Sequence, residues 1–286
     1  MTNIREALKW AEEKGVALGH FNFSSLDGLR AIANAAKELD VPVLVGVSEG
    51  EEEFVGIKNA VDTVRNFREE LGIPIFLNAD HHYSFEKVKE AIDNGYDMVI
   101  VDGASLPFEE NVALTKKVVE YAKEKGGNTL VEGEIGFIGK SSKVLDAIPE
   151  GVSSATMTSP EEAKNFIEET GIDLLAPSVG NIHGMIKGGN PALDIERIGK
   201  LKESTSNFPL VLHGGSGISD EDFKNAIKAG IRVIHINTEL RVAYTKGIKL
   251  FLAENPEETT PYKILKQGEM AMQKIVTERL KLFSFK

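Results

Sequence analysis

Eight short apolar runs divide this chain, and their number and spacing leave few folds open. They cover residues 16–23, 41–48, 73–80, 97–103, 129–136, 173–180, 209–216 and 233–239. Val, Ile and Leu follow one another in them without polar alternation, which suits strands covered on both faces. Amphipathic segments lie between the runs. Phe85, Val88, Ala91 and Ile92 predict one helical face, and Leu114, Val118, Tyr121 and Ala122 another. Ser159-Pro160-Glu161-Glu162 predicts a helix start with a capping serine, an early proline and a glutamate three residues after the cap. Gly72, Gly95, Gly171 and Gly230 stand where helices end in left-handed caps. Eight strand–helix units spaced roughly 24 to 44 residues apart predict a closed parallel (β/α)₈ barrel, the TIM-barrel form of an α/β protein. The runner-up, an open doubly wound sheet, rarely runs to eight such even units.

No linker or shift of composition interrupts the chain, so one domain is expected over residues 1–286, with a helical extension from about 255. A helix is predicted there over 262–282. Its Leu265, Met270, Met272, Ile275, Leu280 and Leu282 suit packing on the barrel or on a neighbouring subunit. A balance of 44 acidic against 33 basic residues, with no basic stripe, argues against a nucleic-acid partner. No apolar run approaches the ~18 residues of a membrane helix. The polar start lacks a signal-peptide core, and the absence of cysteine excludes disulfides and thiolate metal sites, which together fit a cytoplasmic protein. Any metal must be held by His, Asp or Glu.

Chemistry-bearing residues collect at the carboxyl ends of the runs, where parallel α/β folds place their binding groups. Asp80 and His81 close the third, His183 follows the sixth, and His213 ends the seventh. Three imidazoles converging on a barrel mouth form the pattern of an open zinc site. Glu132 and Glu134, two apart on one strand, point to the same inner side, which is costly unless a cation or hydrogen bonds meet them. Asp102 closes the fourth run. His20, between Leu18 and Phe21, is expected to be a satisfied polar core residue. Glycine-rich segments at 180–189 and 213–217, with Lys187 as a cation, suit an anion held on backbone N–H groups. None of the eight runs contains lysine, so a strand-borne Schiff base has no candidate and a metal must act as the Lewis acid. These residues point to a metal-dependent enzyme acting on a small phosphorylated substrate.

From about residue 22 to 250 the chain resembles the class II ketose-bisphosphate aldolases, the zinc-dependent fructose- and tagatose-bisphosphate aldolase family. The resemblance is carried by Asp80-His81-His82, the stretch from Asp102 to Asn111, Val131-Glu132-Gly133-Glu134-Ile135-Gly136, Gly180-Asn181-Ile182-His183-Gly184 and Leu212-His213-Gly214-Gly215-Ser216-Gly217. It implies zinc ligands at His81, His183 and His213, with Asp102 and Glu134 shaping an alternative metal position. It implies Asp80 as the acid/base at the aldehyde oxygen. Gly184, Lys187, Gly214 and Ser216 match the family's phosphate cradle, Asn22 and Ser48 its substrate-lining polar groups, and Arg241 a cation for the second phosphate. A monovalent cation (Na⁺ or K⁺) and a homodimer or homotetramer are further family traits. The eighth strand contributes His235, Asn237 and Thr238 to the substrate, and Asn237 leaves fructose or tagatose stereochemistry open. The family's loop glutamate has no counterpart at 139–143. Between Gly136 and Pro160 the acids are Asp146 and Glu150. Glu150 is therefore expected to fold in on a lid at 137–159 as the enolisation base, with Glu132 as the alternative. The activity implied is reversible cleavage of a ketose 1,6-bisphosphate to dihydroxyacetone phosphate and glyceraldehyde 3-phosphate through a metal-stabilised enediolate. The alternatives are a lyase for another phosphorylated keto-sugar or sugar acid, and a catalytically dead sugar-phosphate sensor.

Overall fold

The computed structural model describes residues 1–139 and 142–286; the expected lid at 137–159 is thus described apart from residues 140 and 141, which lie outside. The strands are β1 (Leu18–Asn22), β2 (Val43–Ser48), β3 (Ile75–His82), β4 (Met98–Val101), β5 (Leu130–Ile135), β6 (Val144–Leu145), β7 (Leu174–Pro177), β8 (Met185–Ile186), β9 (Leu210–Leu212) and β10 (Ile231–Ile236). The helices are α1 (Ile4–Lys14), α2 (Leu26–Leu39), α3 (Glu49–Val55), α4 (Ile57–Leu71), α5 (Phe85–Asp93), α6 (Phe108–Glu124), α7 (Pro160–Thr170), α8 (Ile195–Ser204), α9 (Asp220–Ala229), α10 (Thr238–Glu254) and α11 (Pro261–Ser284). Eight of the strands close a barrel in the order β1-β10-β9-β7-β5-β4-β3-β2, with parallel pairing throughout, as the eight apolar runs predict. Ser159 accepts the N–H of Glu162 in a full capping box, and Gly72 and Gly171 end α4 and α7 in left-handed conformations.

Period-two alternation sorts the barrel interior into layers. Leu18, Leu44, Phe76, Met98, Leu130, Leu174, Val211 and Val233, one from each barrel strand, form an apolar floor. The unforeseen helix α1 closes this floor from below with Ile4, Ala7, Leu8 and Ala11. Two residues further along the strands stand His20, Asn78, Glu132, His213 and His235, all buried. Gly46 occupies the same level because a Cβ there would lie 2.3 Å from the His20 ring. The outer faces of the strands pack Val43, Val45, Ile75, Val99 and Val131 against the helices, forming the larger core.

Three local features differ from the sequence reading. The last barrel strand begins at Ile231 and stops at Ile236, so Thr238 and Glu239 open α10 instead of ending a strand. The connections after β5 and β7 meet in a small parallel pair, Val144 opposite Met185 and Leu145 opposite Ile186. Helix α11 lies across α2 and α10 and buries Met272, Val276, Leu280 and Phe283, while Leu265 and Met270 stay exposed. Gly268 permits this crossing, since a Cβ would stand 2.6 Å from the Tyr244 ring.

Candidate active site

A bulge in β3 makes the site possible. Ala79 pairs with Val99, but the next pair is His82 with Val101, so one extra residue is fitted on β3. His81 takes up the irregularity at φ 50°, a left-handed conformation that a non-glycine residue holds only where its surroundings impose it. Asp80 and His81, neighbours in sequence, thereby both face the mouth. His82 turns away and buries its Nε2 3.4 Å from Glu52, whose Oε2 accepts the Tyr96 hydroxyl at 2.7 Å.

His81, Glu134, His183 and His213 bring one ligand atom each to within 4.8 Å of one another. The His81 ring stands edge-on to those of His183 and His213, with centroids 4.6 and 4.7 Å away. His213 Nδ1 faces His81 Nε2 at 3.1 Å, while its Nε2 donates to Glu132 at 2.6 Å. His81 Nδ1 donates to Asp102 at 2.9 Å. The carboxylates behind His81 and His213 fix the tautomers of these two rings and leave their other nitrogens free to ligate, the usual arrangement around a bound metal. Glu134 Oε2 is buried without a hydrogen bond among the described residues, 3.4 Å from His81 Nδ1 and 3.5 Å from His213 Nδ1. An orphaned carboxylate oxygen beside three imidazoles fits a divalent cation in chemistry and in number of donors. Burial, then the neighbouring His81, lowers both His183 and His213 to about 3, so both stay in the neutral form that binds metal. Burial pushes Glu132 and Glu134 well above the ordinary carboxylate range, with Asp80 adding to the first and Asp102 to the second. Asp102 thus stands behind a ligand, outside the cluster of four, and Glu132 supports His213 instead of facing the mouth.

Asp80 is held on one oxygen and open on the other. Its Oδ2 accepts the Asn22 amide at 2.7 Å; its Oδ1 is buried without a hydrogen bond among the described residues, 3.3 Å from His235 Nδ1. Burial opposes the charge, yet His81, then His235 and His20, keep its carboxyl well below the usual range. His235 lies between His20 (3.6 Å between ring centroids, 8° between planes) and His213 (4.1 Å, 22°) in a continuous stack. His20 accepts the Asn78 amide on Nε2 at 3.0 Å and is lowered to about 4, chiefly by burial. It is a buried polar residue, but its Nδ1 has no hydrogen bond among the described residues, so it is only half satisfied where full satisfaction was expected.

The two glycine segments meet beside this cluster. Gly184 and Gly214 both have positive φ, and a Cβ on Gly214 would collide with the Ile182 carbonyl at 2.1 Å. Asn190, which sequence reasoning missed, ties the loops by donating to the carbonyls of Gly184 (3.2 Å) and Ser216 (2.8 Å). Ser216 Oγ accepts the N–H groups of Asn237 and Glu239 at the start of α10. Gly184, Gly214, Ser216, Asn237 and Thr238 line one hollow with Asp80, His81 and His183. A wider cavity of about 380 Å³ opens above it, bordered by Ser48, Tyr83, Asp102, Ser142 and Arg241. The guanidinium of Arg241 donates to the Ser142 carbonyl, which fastens the connection after β5 over the mouth.

Two expected residues lie elsewhere. Lys187 is exposed and pairs with Asp146 at 2.7 Å, because the short β8 carries it onto the β6 connection and away from the glycine cradle. Glu150 is exposed on the turn after Pro149, closed by the Val152 N–H donating to the Pro149 carbonyl, and does not line the mouth. Unforeseen is Glu51, which accepts from Asn22 and Ser48 at the mouth. Its sequence signal was available: Ser48-x-x-Glu51 at a strand end is a capping-box spacing.

Comparisons with known proteins agree with this geometry. The sequence model described as "Fructose-bisphosphate aldolase class-II" matches residues 2–286. A fructose-bisphosphate aldolase of Geobacillus stearothermophilus is 39% identical over 286 residues, covering 99% of this chain and 96% of the relative. One of Staphylococcus aureus (strain Mu50) is 40% identical, covering 99% and 97%. The crystal structure of the YdjI aldolase from Escherichia coli K12 superposes with a TM-score of 0.82 at 29% identity, over 99% of this chain and 97% of that one. The chain belongs to the class-II fructose-bisphosphate aldolase family.

Proposed function

We propose that this chain is a zinc-dependent lyase that reversibly cleaves fructose 1,6-bisphosphate to dihydroxyacetone phosphate and glyceraldehyde 3-phosphate. The observation that carries the reading is the meeting of His81, His183, His213 and Glu134 beside a half-free Asp80 and a glycine-lined hollow. His81, His183 and His213 would hold the ion, with Glu134 as a further ligand. When bound, zinc supplies the Lewis acidity that polarises the substrate ketone. Backbone N–H groups around Gly184, Gly214 and Ser216 hold the phosphate of the dihydroxyacetone half, where a monovalent cation would also sit. Asn22 fixes Asp80 so that Oδ1 faces the C4 hydroxyl. In cleavage that hydroxyl gives its proton to Asp80 as the C3–C4 bond breaks and the aldehyde leaves. The electron pair stays with the three-carbon fragment, and a proton returned to that carbon completes dihydroxyacetone phosphate. Arg241 at the rim suits the second phosphate. The same reading makes the enzyme cytoplasmic and a homodimer or homotetramer, with the exposed Tyr262, Leu265 and Met270 of α11 as apolar surface for a second copy.

A coupled assay on fructose and tagatose 1,6-bisphosphates tests the substrate. Faster cleavage of the fructose sugar is expected. A preference for tagatose would make Asn237 part of a different stereochemical selection. Tight binding of either sugar without turnover would show a sensor instead of an enzyme.

A further inference from the structure

Asn22 gives its two amide N–H groups to two different carboxylates. One is Asp80 Oδ2 at 2.7 Å; the other is Glu51 Oε2 at 2.8 Å. Glu51 Oε2 also accepts the Ser48 N–H at 2.8 Å and its hydroxyl at 2.9 Å. Its second oxygen is barely engaged: among the described residues Oε1 meets the Asn237 amide at 3.5 Å. Glu51 borders a cavity of about 230 Å³ that shares Asn22, Asn237 and Arg241 with the hollows at the mouth. A helix cap alone accounts for the two bonds from Ser48. It does not account for a glutamate reaching across to β1 and to the start of α10, where both amides also line the substrate hollow.

The other carboxylates of the site already have partners or lie apart. Glu132 accepts from His213, Asp102 accepts from His81, Glu134 belongs to the ligand cluster, Glu49 at the cavity rim accepts the Tyr83 N–H at 3.0 Å, and Glu150 is exposed. We propose that Glu51 is a catalytic residue, the carboxylate that accepts the proton from the carbon beside the carbonyl of dihydroxyacetone phosphate. The assignment rests on the aldolase reading above. In the condensation direction that C–H bond breaks, its electron pair remains on the triose phosphate as the enediolate, and the proton bonds to Glu51 Oε1. In the cleavage direction Glu51 returns the proton to the same carbon. Burial raises the Glu51 carboxyl, and the bonds from Ser48 and Asn22 oppose the rise.

Glu51→Gln separates this role from capping, because the amide oxygen still accepts from Ser48 and Asn22 but takes no proton from carbon. The measurement is exchange of solvent hydrogen into dihydroxyacetone phosphate by the zinc-loaded full chain. The expected loss is ~10²–10⁴-fold, the range for a positioned acid or base, with zinc content and thermal midpoint kept. An exchange rate within a few-fold of the parent would overturn the assignment. Glu51→Ala gives a second test that does not depend on the glutamine variant folding. Added formate should restore exchange in Glu51→Ala, and a folded, zinc-loaded variant that formate does not restore contradicts the proposal. If the parent neither exchanges nor cleaves, the aldolase reading fails and this assignment falls with it.

Discussion

His213 shows how single residues build this site. Its ring is held by Glu132 at 2.6 Å on one nitrogen and presents the other to His81. Glu132→Gln should therefore weaken zinc binding by about 10–100-fold without removing it, the usual effect of losing a ligand's outer partner. Competition with a metal-sensitive dye checks this, and unchanged affinity would mean that Glu132 does not orient His213. Alanine at His81, His183 or His213 should abolish tight zinc binding, while His20→Ala should keep it, since His20 bonds Asn78 in the interior. Full occupancy in any of the first three would place the ligands elsewhere. Asp80→Asn should keep zinc and lose cleavage by roughly 10²–10⁴-fold. The ligand and acid/base candidates were legible because rare residues stand at strand ends. Glu51 was legible only as a capping residue after Ser48; its place beside the site depends on the meeting of α3 with Asn22 on β1, which sequence spacing does not show. Lys187 was misplaced because a cation in a glycine-rich segment reads as an anion partner until β8 is seen to carry it to Asp146.

At the scale of elements, the bulge in β3 and the packing of α10 on α11 matter most. The bulge turns Asp80 and His81 to the same side, which strict alternation forbids, and a hydrophobic pattern carries no trace of it. The α10 start was likewise hidden, because Val233 to Glu239 continues the apolar run while Ser216 Oγ collects the N–H groups of Asn237 and Glu239. Arg279 on α11 then fastens this start by a two-pronged bond to Glu239 at 2.7 and 2.9 Å. Both side chains are largely covered, at 18% and 10% exposure. Arg279→Ala leaves Glu239 buried without its cation and should destabilise the fold by about 3–5 kcal/mol. Arg5→Ala, which removes a pair that is half exposed, should cost no more than about 1 kcal/mol. Denaturant unfolding of the two variants checks the contrast, and equal effects would show that the α10–α11 tie is peripheral.

For the whole molecule, the barrel was readable because eight Val/Ile/Leu runs at helix-permitting intervals have few other solutions. What the runs could not show is how sharply the interior divides. One apolar side chain from each strand makes the floor, sealed by α1, and imidazoles, amides and carboxylates begin two residues above it. Buried charge of that density is costly unless a cation or a proton network compensates it. On the proposed reading, His81, His183 and His213 together hold the ion on which cleavage depends. The most direct test strips the full chain with a chelator, adds zinc back in measured steps, and follows both bound metal and fructose 1,6-bisphosphate cleavage. Turnover should vanish with the metal and return in proportion to zinc, reaching its plateau at one bound ion per chain. Undiminished cleavage by the metal-free chain would contradict the account.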